Sequence, residues 1–271
     1  MQKDIFPQNA VDLGLMKKGS LLYYFFKRHE IHLLKIADII GATSPGNIRY
    51  LRENYNFITE NKIQLLFNSS KLIRLEPDKS ELEVYNLQDK FIVVFGGNMG
   101  KPQQLENVIQ LASNCSIYHE VVFLIIGKGT EVEKLKNNVK NQHLTNLKFL
   151  QNLPRVDYFK LISNCNIGLI SLHKNFTVPN TPMKLNDYLN AGIPILASID
   201  KQTDLGEILV DNKMGLFAYA DSPEDLFLQF KKLYFNPELC KELGRNGKQF
   251  CFAHLSTEFT YAQIMDGVEK L

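Results

Sequence analysis

The chain has 271 residues, of which 45% are hydrophobic and 22% charged, so it can bury a conventional core without disulfides or metals. Its 31 basic and 29 acidic side chains leave a net charge of +2, which lacks the concentrated basic excess typical of nucleic-acid-binding proteins. No apolar run approaches the roughly 20 residues that cross a bilayer, and the first residues carry no signal segment. We therefore expect a cytoplasmic protein, free or peripheral at the inner face of the cell membrane.

The four cysteines are scattered along the chain, at Cys115, Cys165, Cys240 and Cys251. None forms a CxxC pair or stands near a His at zinc spacing, so we predict free thiols, as is usual in a reducing cytoplasm. The pattern indicates neither a metal site nor a cofactor motif.

The first ninety residues contain few predicted elements. We predict a helix over Ser20–Asp38, a strand over Ile39–Ala42, a helix over Ser44–Tyr55 capped by Ser44 with Pro45 at its first position, a strand over Ile63–Phe67 and a polar stretch over Asn68–Ser80. Two strands and two helices are too few to bury both faces of a sheet. Residues 1–68 are therefore interpreted as the remnant of an amino-terminal domain, part of which is missing, and residues 69–90 as a linker.

From Phe91 onward, short and continuously apolar strands alternate with helical stretches. Predicted strands span Phe91–Phe95, Val121–Ile126, Leu147–Leu150, Ile167–Ser171 and Pro194–Ser198, and predicted helices span Gln103–Ser113, Thr130–Asn141, Val156–Ser163 and Met183–Ala191. Such strands are typical of a parallel sheet with helices on both faces. This predicts an α/β fold with one complete, doubly wound, Rossmann-like domain over residues 91–254, whose ligands bind beyond the carboxyl ends of the strands.

Three more helices are predicted to end the chain. Ser222 and Pro223 begin the first, which runs to about Phe235. Pro237 begins the second, which continues through Ala253, and a separate carboxy-terminal helix occupies residues 255–271.

Two glycine-rich turns follow neighbouring strands. The first is Gly96-Gly97-Asn98-Met99-Gly100-Lys101-Pro102, and the second is Gly127-Lys128-Gly129. Glycines let the backbone approach a ligand, and the helix expected after each turn offers free N–H groups to an anion such as a diphosphate. Lys101 could add a charge, although an ordinary tight turn with a solvated lysine fits equally well. The third strand ends in the polar turn Gln151-Asn152-Leu153-Pro154.

The strongest pattern is the helix start at Thr181-Pro182-Met183-Lys184, with Asp187 one turn later on the same face. Thr181 suits the cap and Pro182 the first helical position. A cation at the positive end of a helix dipole is unfavourable, so an anionic ligand there would remove a penalty. Asp187 could accept hydrogen bonds from a ribose diol. The alternative is a plain surface ion pair between Lys184 and Asp187.

This stretch, continued through Tyr188, Gly192 and Pro194, resembles the motif S-P-x-K-x-x-E-Y-x-x-x-G-x-P of retaining family 4 glycosyltransferases, which have the GT-B fold. The resemblance covers Phe91–Leu271, and Asp4–Asn68 is similar to the end of the acceptor domain in members that build bacterial surface polysaccharides. The shared features there are an Asp-x-x-Pro element, the helix start Ser44-Pro45-Gly46-Asn47 and the strand-closing Asn68. The most similar group is that of aminosugar transferases of O-antigen and capsule synthesis.

The resemblance implies a role for each part of the site. Lys184 would hold the donor diphosphate and stabilise it as the leaving group, helped by the amides of Gly97, Asn98, Met99 and Gly100. Asp187 would bind the ribose, and the turn containing Asn152 and Leu153 would flank the base. Gly127, Lys128, Lys101, Thr181 and Pro182 would complete the donor-binding set. Two departures are an Asp at position 187, where the family usually has Glu, and Pro179, where many members have another Glu.

The implied reaction transfers a sugar, with retention, from a nucleotide-sugar donor, expected to be UDP-linked, to a lipid-linked or glycan acceptor. The resemblance implies that retention arises from front-face substitution, in which the acceptor hydroxyl attacks on the side that the nucleotide leaves. Such a reaction needs stabilisation of the leaving group more than it needs a protein nucleophile. The alternatives are a truncated chain that binds the donor without turnover, and a chain whose partner supplies the missing domain.

Three other clusters are weaker candidates. His29 and His32 are expected on a polar helix face. The run Leu21–Phe26, with Lys17, Lys18, Lys27 and Arg28 around it, is expected to pack against the interdomain cleft, with contact to a membrane surface as the alternative. The segment His173–Asn175 follows a strand and is a candidate contact to the donor sugar.

Overall fold

The computed structural model describes residues 5–75 and 78–269, so Asp4 of the Asp-x-x-Pro element lies outside the described residues. The amino-terminal part contains a small parallel sheet in which Ile40 lies opposite Ile63. Its elements are α1 (Gln8–Asp12), α2 (Leu21–Ile36), β1 (Ile40–Ala42), α3 (Pro45–Asn54) and β2 (Ile63–Leu65). A separate cluster of buried side chains, among them Leu34 and Leu51, packs these elements together.

Helix starts in this part follow the predicted capping. The Ser44 hydroxyl accepts a hydrogen bond from the amide of Asn47 at 3.1 Å, and Pro45 occupies the first turn of α3. The Ser20 hydroxyl likewise accepts from the amide of Tyr23 at the start of α2. The predicted Ser44 cap is confirmed, and the Ser20 cap is a further finding of the structure; an N-cap needs only residues within one turn of each other.

The large sheet has six parallel strands in the order β5-β4-β3-β6-β7-β8. The strands are β3 (Phe91–Asn98), β4 (Val121–Lys128), β5 (Leu147–Leu150), β6 (Ile167–Ser171), β7 (Ile195–Ile199) and β8 (Gly215–Tyr219). This is the doubly wound order, with the change of winding direction between β3 and β6. The predicted α/β class is confirmed, and the carboxyl ends of those two strands mark the expected ligand position.

Helices cover both faces of this sheet. They are α4 (Ser80–Val84), α5 (Glu106–Asn114), α6 (Val132–Asn141), α7 (Arg155–Ile162), α8 (Lys184–Ala191), α9 (Leu205–Asp211), α10 (Pro223–Tyr234), α11 (Pro237–His254) and α12 (Thr257–Glu269). Alternate residues of β3 enter different cores: Ile92 and Val94 pack on one face, and Val93 and Phe95 on the other. Burial on both faces explains why the strand is apolar without alternation.

Several elements differ from the sequence-based predictions. Strand β8 and helices α1 and α9 were not predicted, and the predicted linker at residues 69–90 contains α4, whose Leu82 packs in the main core. Strand β3 continues three residues past its predicted end, so that Gly97 pairs with Gly127 of β4. Glycine is disfavoured in strands by local propensity, but here two neighbouring glycines let the strands remain paired to their ends.

Polar contacts join the small sheet to the large domain. The Asp204 carboxylate accepts from the Ser44 hydroxyl at 2.8 Å and from the amide of Gly46 at 2.5 Å, beside the positive end of α3. Asn68 donates from its amide group to the carbonyl of Thr181, and Asn186 donates to the carbonyl of Asn68. The chain also returns through α12, since Gly267 lies against the side chain of Gln64 in β2.

Helix α2 exposes most of its apolar side chains. Leu21 is 90% exposed, and Leu22, Tyr24 and Phe25 are more than half exposed. The prediction that this run packs against the interdomain cleft is therefore wrong, because α2 turns its opposite side, with Leu34, toward the small sheet. None of the helices within residues 5–75 and 78–269 has the length and apolarity needed to span a membrane.

Candidate functional site

A cavity of about 590 Å³ opens at the carboxyl ends of β3 and β6. Predicted site residues that line it are Gly97, Asn98, Asn152, Leu153, Pro182, Lys184 and Asp187. The amino-terminal part contributes Asn9 and Leu13 to the same cavity. The position agrees with the rule that open parallel sheets bind ligands where the winding direction changes.

Lys184 is the first residue of α8 and points toward the end of β3. Its ammonium nitrogen lies 4.0 Å from the ring centroid of Phe95, and its side chain packs beside Gly97. Within the described residues, no carboxylate forms an ion pair with it, and burial lowers the pKa of Lys184 to about 7. An ammonium group that lacks a counter-ion in a poorly solvated cavity is suited to bind an anion.

The start of α8 differs from the prediction. The cap position is Met183, and no side chain caps the helix, so the predicted capping by Thr181 with Pro182 in the first turn is wrong. Thr181 is buried, and its hydroxyl has no hydrogen-bond partner, while its carbonyl accepts from Asn68. This hydrogen bond ties the start of α8 to the amino-terminal part, a contact that local sequence does not encode.

Asp187 does not pair with Lys184, as the alternative interpretation expected. It forms a bidentate ion pair with Arg155, with Nη1–Oδ2 and Nη2–Oδ1 distances of 2.8 and 2.5 Å. Hydrogen bonding to Asp187 raises the pKa of Arg155 further. A carboxylate has about four acceptor sites, so the arginine fixes the orientation of Asp187 and leaves room for two more donors.

The first glycine turn is built differently from the prediction. After β3 ends at Asn98, one turn of 3₁₀ helix spans Lys101–Gln103, and α5 begins only at Glu106. The expected helix N-terminus is therefore not directly behind the glycines. The amide of Met99 donates to the carbonyl of Lys128, and that of Gly100 donates to the side chain of Gln103. Both amides are thus engaged within the protein.

Six predicted donor-binding residues do not line the main cavity: Met99, Gly100, Lys101, Gly127, Lys128 and Thr181. The Lys101 ammonium donates to the carbonyl of Leu13 in the amino-terminal part. A second cavity, of about 280 Å³, lies beside Lys101 and is also lined by Gly100, His173 and Lys174. The predicted sugar contacts at His173 and Lys174 therefore face this neighbouring cavity.

Among the lining residues that sequence reasoning missed are Asn9, Arg155, Tyr158 and Asn180. Arg155 follows Pro154 at the end of the polar turn and could have been noted as a cation at the expected ligand edge. Tyr158 packs against Gly96, whose amide donates to the hydroxyl of Tyr188 at 2.8 Å. This buried contact explains why residue 96 has no side chain.

Comparisons with known proteins agree with this architecture. The family model "Glycosyl transferases group 1" matches residues 78–250, more than half of the chain. Over 221 residues the chain is 24% identical to a probable glycosyltransferase, WbjE, of Pseudomonas aeruginosa, covering 78% of this chain and 53% of WbjE. Over 122 residues it is 26% identical to a putative colanic acid biosynthesis glycosyl transferase, WcaI, of Escherichia coli, covering 44% of this chain and 29% of WcaI.

Among solved structures, HepE of Anabaena in complex with UDP superposes with a TM-score of 0.76 at 14% identity, covering 90% of this chain and 67% of HepE. Sucrose-phosphate synthase of Thermosynechococcus elongatus gives the same TM-score at 17% identity, covering 96% of this chain and 65% of the synthase. These likenesses show the fold, which is GT-B-like. The chain spans about half the length of WbjE. On the evidence of its family match, the chain belongs to the glycosyl transferases of group 1.

Proposed function

We propose that the chain binds a UDP-linked sugar donor for a glycosyltransferase that acts with retention on a lipid-linked or glycan acceptor in surface-polysaccharide synthesis. The observation that carries the proposal is Lys184, whose ammonium at the end of β3 has no carboxylate partner in the described part of the chain, with Asp187 one turn further along α8. The name of WcaI refers to colanic acid biosynthesis, and HepE was solved with UDP, which supports the donor and the pathway class.

In this proposal the diphosphate lies between Lys184 and the glycines at the end of β3. The ribose diol reaches Asp187, which Arg155 holds in place, and the base lies beside Asn152 and Leu153. As the bond from the anomeric carbon to the diphosphate breaks, negative charge grows on the leaving oxygen. A nearby ammonium stabilises that charge without itself forming a covalent bond to the sugar.

Titration calorimetry with UDP, on the wild type and on Lys184→Ala, tests the binding proposal. We expect wild-type binding and a large loss of affinity in the variant; unchanged affinity would remove Lys184 from the site. A transfer assay on the chain alone, and with the proteins encoded beside it, separates three cases. Transfer by the chain alone supports an enzyme, transfer only with a partner supports a split enzyme, and binding without transfer supports an inactive donor-binding chain.

We also propose a peripheral contact of α2 with anionic membranes. Leu21, Leu22 and Phe25 are exposed together, Lys17 and Lys18 are exposed just ahead of them, and the acid of this helix, Glu30, is buried in an ion pair with Lys27. An exposed apolar face with cations and no exposed acid suits an anionic lipid surface. Co-sedimentation with phosphatidylglycerol vesicles should fail for Phe25→Glu and persist for wild type; equal sedimentation of both would refute the contact.

A further inference from the structure

Asn9 has a buried polar atom that the protein leaves without a partner. Its side-chain oxygen is inaccessible to solvent and accepts no hydrogen bond, yet the residue lines the main cavity. Its backbone groups are satisfied locally, because its amide donates to the carbonyl of Ile5 and its carbonyl accepts from Leu13. Buried polar groups are nearly always paired, so the Asn9 carboxamide gains a hydrogen bond if it turns this oxygen toward a ligand atom in the cavity.

The short helix that carries Asn9 is firmly held over the cavity. Ile5 and Leu13 are buried at either end of it, and the Lys101 ammonium donates to the carbonyl of Leu13. The Asp12 carboxylate accepts from the amide of Thr177 at 2.7 Å and from its hydroxyl at 2.9 Å. These tethers fix the position of Asn9 relative to the β3–β6 edge.

The cavity lining changes across the sheet edge. Arg155, which pairs with Asp187, follows β5, whereas Leu172 and Phe176 follow β6 on the other side of β3. Helix α1 is tethered on the β6 side, because Asp12 accepts from Thr177, and its lining residues Asn9 and Leu13 carry no charge. In the proposed complex, the sugar attached to the diphosphate extends toward this uncharged lining.

We propose that Asn9 is a specificity-determining residue that hydrogen-bonds a hydroxyl group of the donor sugar. A hydroxyl can donate to the carboxamide oxygen or accept from the nitrogen, so either orientation of the amide group is satisfied. The inference rests on the proposed function. It adds that the amino-terminal part of this chain, which we interpreted as belonging to the acceptor side, also contacts the donor. Asn9 contacts the sugar and not the nucleotide.

Calorimetry with UDP, UDP-glucose and UDP-N-acetylglucosamine tests this assignment through the preference for sugar nucleotide over UDP. In Asn9→Ala we expect UDP affinity to stay within about twofold of wild type, while affinity for the better-bound sugar nucleotide falls roughly fivefold to tenfold, as for loss of one buried hydrogen bond. Gln8→Ala is the matched control, because Gln8 lies on the same helix, faces Asp12 and Thr177, and does not line the cavity.

The outcomes separate the two proposals. If wild type binds UDP and Lys184→Ala does not, the donor site stands; an unchanged sugar preference in Asn9→Ala then refutes the role of Asn9 alone. An equal loss of sugar preference in Gln8→Ala would also refute it, because displacement of the helix would be the cause. If wild type binds none of the three ligands, the proposed function itself fails.

Discussion

Replacing Lys184 by methionine removes the charge of the proposed diphosphate site while keeping most of the side-chain volume. Burial lowers the pKa of this lysine from 10.5 to about 7, which corresponds to about 5 kcal/mol against the charged form. The Lys184 side chain keeps some contact with solvent. We therefore expect a bound diphosphate, which supplies the missing counter-charge, to offset roughly half of this free energy. Affinity for UDP-glucose should then fall by about 30-fold to 150-fold, corresponding to roughly 2–3 kcal/mol.

The pH dependence gives a sharper test of the same group. Above pH 7 the empty site of the wild type loses the Lys184 proton, whereas the bound diphosphate favours the charged form, so binding takes up a proton. Affinity should therefore fall as pH rises from 7 to 9, by up to about tenfold per pH unit. UDP-glucose is the appropriate ligand, because its phosphates are diesters that do not titrate in this range. In Lys184→Met the slope should vanish.

Stability measurements serve as the control for this variant. The folded-state pKa of Lys184 lies below its unfolded value, so the charged group destabilises the native protein most below pH 7 and ceases to do so above its unfolded pKa. Lys184→Met should thus be at least as stable as wild type, with the larger gain at pH 6 than at pH 9. Flat pH dependence of binding in the wild type, or the same slope in the folded variant, would refute the reasoning.

The remaining predictions concern contacts that orient the site residues, that pair the sheet strands, or that join the small sheet to the large domain. Arg155→Ala should weaken UDP binding about fivefold by calorimetry, because Asp187 loses its bidentate partner; an unchanged Kd would show that the pair does not orient the carboxylate. Gly127→Ala should lower the free energy of unfolding in urea by about 2–4 kcal/mol, since Gly127 has φ +144° and an added Cβ would meet the backbone of β3. The control is Gly19→Ala, which should cost only about 1 kcal/mol, because Gly19 has a positive φ but open space around it. Asp204→Ala should cost about 2–3 kcal/mol by the same measurement, because it leaves the buried amide of Gly46 without its acceptor and leaves the Ser44 hydroxyl with Asn47 Oδ1 alone. A cost below about 0.5 kcal/mol would show that this contact does not hold the small sheet to the large domain.

Much of the large domain could be predicted from local patterns. Continuously apolar runs marked five of its six strands, and all four helices predicted between them exist within a few residues of their expected ends. Strand β8 was not predicted because Gly215–Tyr219 begins with glycine and contains no β-branched residue, so its strand signal is weak. The predicted boundaries at residues 68, 90 and 254 stay a prediction.

The sequence by itself determined the spacing of Lys184 and Asp187, since three residues on one helix fix which side chains share a face. It also determined that polar turns end several neighbouring strands, and that Ser44 caps its helix. These features depend on residues within one or two turns of each other. The repeat of the α-helix is the same in every protein, so their relative positions follow from their spacing in the sequence.

Only the tertiary structure decided which partners those residues have. Asp187 meets an arginine 32 positions away, Asn9 closes a cavity formed by strands about a hundred residues later, and Lys101 is drawn to a carbonyl of the amino-terminal part instead of the main cavity. Strand order brings these segments to one edge of the sheet, and no local pattern specifies that order. Local spacing therefore sets which site residues lie together on one element, and the packing of the whole chain brings those elements together.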